Sequence, residues 1–361
     1  MTLAVLGVGL IGGSVGLAAR ERSGREVVGF DPDRATLERA LEVGAVDRGA
    51  ESVAAACAEA QAVFCAAPVA ALPELGRAAL DASGPETVVT DVGSTKRDLV
   101  AALGDDERFI GGHPLAGAET AGVGNARADL FVGARWYLTP TERSSGLLYD
   151  SLQRVVADLG GRPQAIGAEA HDRLMATVSH LPHVVANVLV GQAAAELTRD
   201  SERMPAVGPS FRDATRVAGS NPEIWGDILA SNRDAAAAAI EDAASRLKDA
   251  AELVRGGDRD SLAAWHGAAA AERRRLQEAD LDGGPLSELR IVVANRPGTV
   301  AELALALGEA GVNIEDMALH PAPDMRSGAI SLWVAGEGQA ERALELVRGL
   351  GHTVTVVGTG D

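Results

Sequence analysis

The sequence predicts an α/β protein in three parts: a Rossmann-type doubly wound parallel sheet, an all-α middle, and a ferredoxin-like βαββαβ unit at the end. Three observations carry this. Up to about residue 163, short apolar runs alternate with amphipathic or Ala-rich stretches. Strand signals nearly vanish between Ile166 and Ala279. After Asp282-Gly283-Gly284-Pro285, a linker signal, the alternation returns. The expected domains are 1–163, 164–281 and 286–361.

In the first part the strand candidates are Thr2–Leu6, Glu26–Phe30, Ala62–Cys65, Thr87–Asp91, Phe109–Gly111 and Trp136–Thr139. In the second, Ala168–Ser179, His183–Leu197, Pro222–Arg255 and Ser261–Glu278 read as helices. Their small-residue faces predict self-packing, hence a homodimer. In the third, Glu288–Ala294, Val312–Ala318, Ala329–Ala335 and Thr353–Val357 read as strands, with helices at Thr299–Ala310 and Gln339–Gly349.

The chain has 361 residues, 47% hydrophobic and 23% charged, with a net charge of −18. That balance argues against nucleic acid or an anionic membrane as a partner, and an anionic substrate would need a local cluster of cations. Lys96 and Lys248 are the only lysines, so arginine does nearly all the cationic work. Cys57 and Cys65 lie in apolar settings and read as reduced core residues. No basic leader precedes the first strand, and no uncharged apolar run reaches the length of a membrane span, so a cytoplasmic protein is expected.

Gly7-Val8-Gly9-Leu10-Ile11-Gly12 stands between a strand and a helix, and Asp31 ends the next strand 24 positions after Gly7. That context makes the glycine pattern a dinucleotide fingerprint. Gly7 serves the tight turn, Gly9 the approach of a pyrophosphate and Gly12 close helix packing, while Leu10 and Ile11 open a helix whose N–H groups face the phosphates. Asp31 can accept from ribose hydroxyls and repels a 2′-phosphate, which favours NAD over NADP, although Arg34 is close in sequence.

Hydride transfer needs groups beside the nicotinamide, and two polar motifs follow strand candidates. They are Asp91-Val92-Gly93-Ser94-Thr95-Lys96 and Gly111-Gly112-His113-Pro114-Leu115-Ala116-Gly117. His113 suits proton acceptance from an alcohol, and Ser94 can bond the same centre and hold the imidazole. In Ser179-His180-Leu181-Pro182-His183 no Cys or carboxylate cluster completes a ligand set, so no metal is expected. One of these histidines faces substrate and the other is interior, and Pro182 is expected to distort a helix. Asn221 or Ser220 reads as an N-cap before Pro222. Arg216 can clamp a carboxylate or pair with Asp213 at the surface, and local sequence does not choose.

Gly7–Ser14, Asp91–Lys96, Gly112–Gly117, Ser179–His183 and Phe211–Trp225 resemble, in order and spacing, the prephenate/arogenate dehydrogenase family of tyrosine biosynthesis. The resemblance covers about residues 1–280. The remainder resembles an ACT domain through Asn295-Arg296-Pro297-Gly298-Thr299-Val300 and Gly311-Val312-Asn313-Ile314-Glu315. The family resemblance implies oxidative decarboxylation of prephenate to 4-hydroxyphenylpyruvate with NAD. It implies His113 as the catalytic base, Ser94 assisting, Arg216 on a substrate carboxylate, His183 near substrate and nicotinamide, and Glu119 and Asp213 tuning access and the arginine. The ACT resemblance implies an amino-acid effector, tyrosine first, at Asn295, Gly298, Asn313 and Ile314. Arogenate as substrate is the alternative. A generic hydroxyacid dehydrogenase leaves Ser179–His183 and Arg216 unexplained, and His113, Ser94 and Arg216 argue against a non-catalytic amino-acid sensor.

Overall fold

Leu3, Ala4, Val5 and Leu6 are all fully buried, which places β1 (Thr2–Leu6) at the centre of a sheet covered on both faces. In the computed structural model, which describes residues 2–117, 120–199, 207–279, 286–294, 296, 298–322 and 327–357, β1 pairs in parallel with β2 (Glu26–Phe30) and with β4 (Ala62–Cys65). The two-residue β3 (Arg48–Gly49) and β5 (Val88–Asp91) complete the order β3-β2-β1-β4-β5. The winding reverses between β1 and β4, and in such sheets ligands bind beyond the carboxyl ends of the strands at that point. Gly7 through Gly12 lie there. Cys57 and Cys65 are free and buried in this core, and burial pushes both thiols up.

The expected strand Phe109–Gly111 is displaced. Phe109 makes only a single parallel bridge to Val89, and β6 is Gly111–Pro114. It pairs antiparallel with β7 (Arg135–Thr139), which pairs parallel with β8 (Arg162–Ala165) in a separate three-stranded sheet. His113 therefore sits within a strand, not in the loop beyond one. Glycine is a weak strand former, but this backbone runs where side chains cannot go. A Cβ on Gly112 would lie 2.5 Å from the Asp91 carbonyl oxygen, and one on Gly111 would lie 2.3 Å from Thr139 Oγ1.

The C-terminal segment forms β9 (Leu286–Ala294), β10 (Ile314–Pro321), β11 (Ser327–Ala335) and β12 (Thr353–Val357), with helices Thr299–Glu309 and Glu337–Gly349. The sheet is antiparallel in the order β10-β11-β9-β12, the ferredoxin-like arrangement. This segment is not a separate body. Residues 284–361 join 1–171 in one compact unit, and residues 172–283 form the other. Leu289, Ile291 and Leu303 share a core cluster with Leu3, Trp136 and Leu152. Glycines permit that union: a Cβ on Gly308 would stand 2.2 Å from the Ala165 carbonyl oxygen, and one on Gly298 would stand 2.4 Å from that of Glu142.

The helical unit continues the helix begun at Ala168–Met175 through a π turn, Ala176–His180, into Leu181–Arg199. Pro182 does not interrupt it. A proline has no N–H to give the preceding turn, and the wider π spacing absorbs the missing bond. Helices Pro209–Thr215, Pro222–Ser231, Arg233–Gly256 and Arg259–Ala279 follow. The expected helix Pro222–Arg255 is broken at Asn232, which is fully buried and donates to the carbonyl of Asp172 (2.7 Å). Among the described residues one helix, Ala168–Glu196, is long and apolar enough to cross a membrane by length and composition. Val178, Val185, Val188 and Val190 are exposed on it.

Replacing Gly308 by Ala forces apart the Thr299–Glu309 helix and β8, at an expected cost of about 1–3 kcal/mol. Equilibrium urea unfolding reads this as a lower midpoint, and an unchanged midpoint contradicts the close approach.

Candidate active site

Gly7 has φ of +93°, and a Cβ there would meet the Ala66 carbonyl oxygen at 2.3 Å, so only glycine makes this turn. A Cβ on Gly12 would fall 1.9 Å from the Gly7 carbonyl oxygen, whereas one on Gly9 would meet nothing within 4 Å. Gly9 faces open space at the N-cap of helix Leu10–Ser23, which has no side-chain cap. Leu10 and Ile11 form the first turn, so its backbone N–H groups and the positive helix end are presented outward. Asp31 Oδ2 accepts from Val8 N and Oδ1 from Asp33 N, both at 2.9 Å. These bonds fix the carboxylate against the glycine loop and leave acceptor capacity on both oxygens. Arg34 is turned to Glu38 on its own helix (2.9 Å). An uncapped helix end, an open glycine and a fixed carboxylate together fit a dinucleotide with a free 2′-hydroxyl.

Beyond β5, Asp91 binds two strategic backbone groups. Oδ2 accepts from Gly93 N (2.7 Å) and Oδ1 from Gly112 N (2.9 Å). These are the residues immediately before Ser94 and His113. Lys96 Nζ donates to the same Oδ2, and both partners are buried. The carboxylate is thereby neutralised, and both its oxygens are used.

His113, half-buried on β6, pairs across strands with Tyr137 and lies 2.8 Å from the fully buried His171 (Nδ1 to Nε2). The His171 ring stands edge-on to His113 and to Tyr137, with centroids 5.1 and 5.7 Å apart. His171 therefore braces the imidazole, the task expected of Ser94. Ser94 is half-buried on the Asp91–Lys96 loop.

In the helical unit, His180 is buried and hydrogen-bonded to Asn232 (3.2 Å), the interior histidine of the pair. His183 Nδ1 donates to the Ser179 carbonyl (3.0 Å), which leaves Nε2 as an acceptor. Its ring stacks on Trp225 with centroids 3.5 Å apart. Both line a cavity of about 400 Å³ with Val217, Ser220 and Asn187. Arg216 and Asp213 are exposed, and Arg216 directly precedes Val217 at the start of the turn Arg216–Gly219. Asn221 caps the next helix by accepting from Glu223 N and Ile224 N.

The structure thus ties the residues before Ser94 and before His113 to one carboxylate, and sets His183 with the turn after Arg216 around one cavity. Glu119 and Asn295 lie outside the described residues. Gly298 begins a helix, Asn313 is held by Gln339 and Glu315, and Ile314 is buried in the core. No local sequence signal marks His171 or Trp225 as functional. Each stands beside a recognised histidine only in three dimensions.

Residues 15–164 match the family model for the prephenate dehydrogenase nucleotide-binding domain, and residues 167–267 match its dimerization domain. The cyclohexadienyl dehydrogenase of Zymomonas mobilis is 31% identical over 72% of this chain and 90% of its own length. The chain belongs to the prephenate dehydrogenase family. The Bacillus subtilis prephenate dehydrogenase is 28% identical over 96% of this chain and 95% of its own. Among solved structures, the Aquifex aeolicus prephenate dehydrogenase in complex with hydroxyphenyl propionate and NAD+ superposes with a TM-score of 0.72. It is 29% identical over 76% of this chain and 98% of its own. The Synechocystis arogenate dehydrogenase gives 0.67, also at 29% identity, over 76% and 100%.

Replacing Asp91 by Asn strands Lys96 as a buried charge, with an expected loss of about 3–5 kcal/mol in stability. The paired change of Asp91 to Leu and Lys96 to Met recovers part of the stability but not the placement of Ser94 and His113. Denaturation midpoints and turnover measured on both variants separate the two effects.

Proposed function

We propose that this family member is an NAD-dependent prephenate dehydrogenase that converts prephenate to 4-hydroxyphenylpyruvate and carbon dioxide. The observation that carries it is His113, braced by His171 and set on the same carboxylate as the Ser94 loop, in a chain with a dinucleotide fingerprint. Bound NAD supplies the hydride acceptor. The chain's residues do the rest. Gly7, Gly9 and Gly12 with Leu10 and Ile11 receive the pyrophosphate, and Asp31 receives the ribose.

His113 takes the proton of the ring hydroxyl through Nε2, which requires its Nδ1–H to donate to His171. The ring carboxylate leaves as carbon dioxide, its bonding electrons complete the aromatic ring, and the proton returns to the phenol oxygen. Aromatisation drives the step, so positioning and one base are the protein's main contributions. Ser94 assists at the hydroxyl. Arg216 binds a substrate carboxylate, with Asp213 orienting it, and His183 and Glu119 serve substrate access. A cation in that role answers the difficulty of an anionic substrate on a protein of charge −18.

The apolar residues exposed on the helical unit, Val188, Leu247 and Trp265 among them, support a homodimer formed through that unit. The C-terminal unit is read as an ACT domain that binds an amino-acid effector, and the protein as cytoplasmic, in keeping with a biosynthetic family.

Mixing the protein with NAD and prephenate should raise absorbance at the NADH band, and a flat trace with both prephenate and arogenate ends this reading. His113→Asn should lower kcat by about 10²–10⁴-fold with KM little changed. Arg216→Ala should mainly raise KM. The opposite pattern reverses the role assignment.

A further inference from the structure

His171 is fully buried, and its Nε2 lies 2.8 Å from Nδ1 of His113. A short link sets it there. β8 ends at Ala165, paired with Leu138 on β7, and Ile166 N donates to the Leu138 carbonyl (2.9 Å). The next helix starts at Ala168, and His171 N closes its first turn on the Gly167 carbonyl (2.8 Å). His113 stands on β6, opposite Tyr137 of β7. The His171 ring meets both of these rings edge-on, at 69° to His113 and 83° to Tyr137. β7 thus supplies one neighbour of the base, and the helix after β8 supplies the other.

A hydrogen bond between two imidazoles needs a proton on one nitrogen and a lone pair on the other. Nδ1 is the nitrogen of His113 that His171 covers, so Nε2 of this half-buried ring is the one left for a substrate. If His171 Nε2 donated, the single proton of neutral His113 would sit on Nε2. The base would then have no lone pair to offer. If His171 Nε2 accepts, Nδ1 carries the proton and Nε2 is free. That second arrangement requires a neutral His171 with its own proton on Nδ1. The partner that orients a catalytic imidazole is commonly a carboxylate. Asp91, the buried carboxylate of this region, is instead engaged by Gly93 N, Gly112 N and Lys96 Nζ.

We infer that His171 is a positioning residue, an uncharged acceptor that fixes His113 in its Nδ1–H tautomer and keeps the Nε2 lone pair free for the substrate hydroxyl. The assignment rests on the dehydrogenase reading above and adds how the base is prepared. An uncharged partner suits an anionic substrate. A carboxylate behind His113 would add negative charge beside the substrate's own carboxylates, on a protein of charge −18. A neutral imidazole orients the ring without that repulsion. It also stabilises the His113 imidazolium less than a carboxylate would, so the proton returns to the phenol oxygen more readily once the ring is aromatic.

Two readouts on the full chain test this. Proton–nitrogen correlation spectra of chain carrying isotope-labelled histidine distinguish protonated from unprotonated ring nitrogens, without substrate and at alkaline pH. The chain has seven histidines, and the signals of His113 are those lost in His113→Asn. The expected spectrum has the His113 proton on Nδ1. A proton on His113 Nε2 overturns the inference and leaves the dehydrogenase reading standing. The second readout is turnover of prephenate with NAD, beside thermal midpoints. His171→Leu should lower kcat by about 10²-fold or more, with KM changed less than about threefold. His171→Gln, whose amide oxygen reaches the place of Nε2, should restore kcat to within about tenfold of the parent. A folded Leu variant that keeps the parent kcat, or a folded Gln variant as slow as the Leu one, overturns the inference. Where the Leu variant does not fold, the spectrum of the parent decides. No NADH from the parent chain with prephenate or arogenate overturns the dehydrogenase reading instead, and the tautomer is still read from the spectrum.

Discussion

One buried carboxylate organises the catalytic side of this molecule. Asp91 ends the fifth parallel strand and takes three hydrogen bonds, from Gly93 N, Gly112 N and Lys96 Nζ. Burying such a pair is costly unless its hydrogen-bonding capacity is used, and here both oxygens are. The cost of desolvation is offset by geometry. Two segments nineteen residues apart, one bearing Ser94 and the other His113, are referred to a single point. The glycines at 93, 111 and 112 are part of the same arrangement, since side chains there would fill the space taken by Leu72, Thr139 and the Asp91 carbonyl.

The helical unit uses another kind of bracing. Its polar interior is small but well connected: Asn232 donates to the Asp172 carbonyl and meets His180, and His180 stands edge-on to Trp225. His183 packs on the same Trp225, stacked and held by Ser179. One histidine of the motif is thus spent on fixing the indole, and the other is displayed upon it. The π turn lets both lie on a continuous helix despite Pro182. Such turns recur at functional positions because they alter which face a helix presents without ending it.

Much of this was legible in the sequence where local pattern and burial agree. Thr2–Leu6, Glu26–Phe30 and Ala62–Cys65 are fully central strands, and their apolar runs have no competing reading. The short β8, Arg-Pro-Gln-Ala, alternates polar and apolar over only four positions, has no β-branched residue, and owes its state to β7 alongside. β6 is two glycines, a histidine and a proline, a composition that reads as a loop until the neighbouring atoms are known. The fingerprint and His113 stood out because their chemistry is concentrated in a few adjacent residues. His171 sits in an ordinary polar helix, 58 residues from the ring it supports, and no local signal marks it. The seam between the C-terminal sheet and the N-terminal one was hidden for a related reason, since Asp282–Pro285 reads as a spacer and says nothing of what lies on either side.

The burial of Lys96 has a practical corollary. The chain has only one other lysine, Lys248, and that one is exposed on helix Arg233–Gly256. Amine-directed reagents react with accessible amino groups, and the one sealed against Asp91 is not accessible. Apart from the α-amino group, a dye or cross-linker aimed at amines meets a single side chain on the folded protein, far in sequence from the glycine loop, Ser94 and His113. The same device that fixes the catalytic loops therefore makes the molecule addressable at one place, and unfolding would announce itself as the appearance of a second reactive lysine.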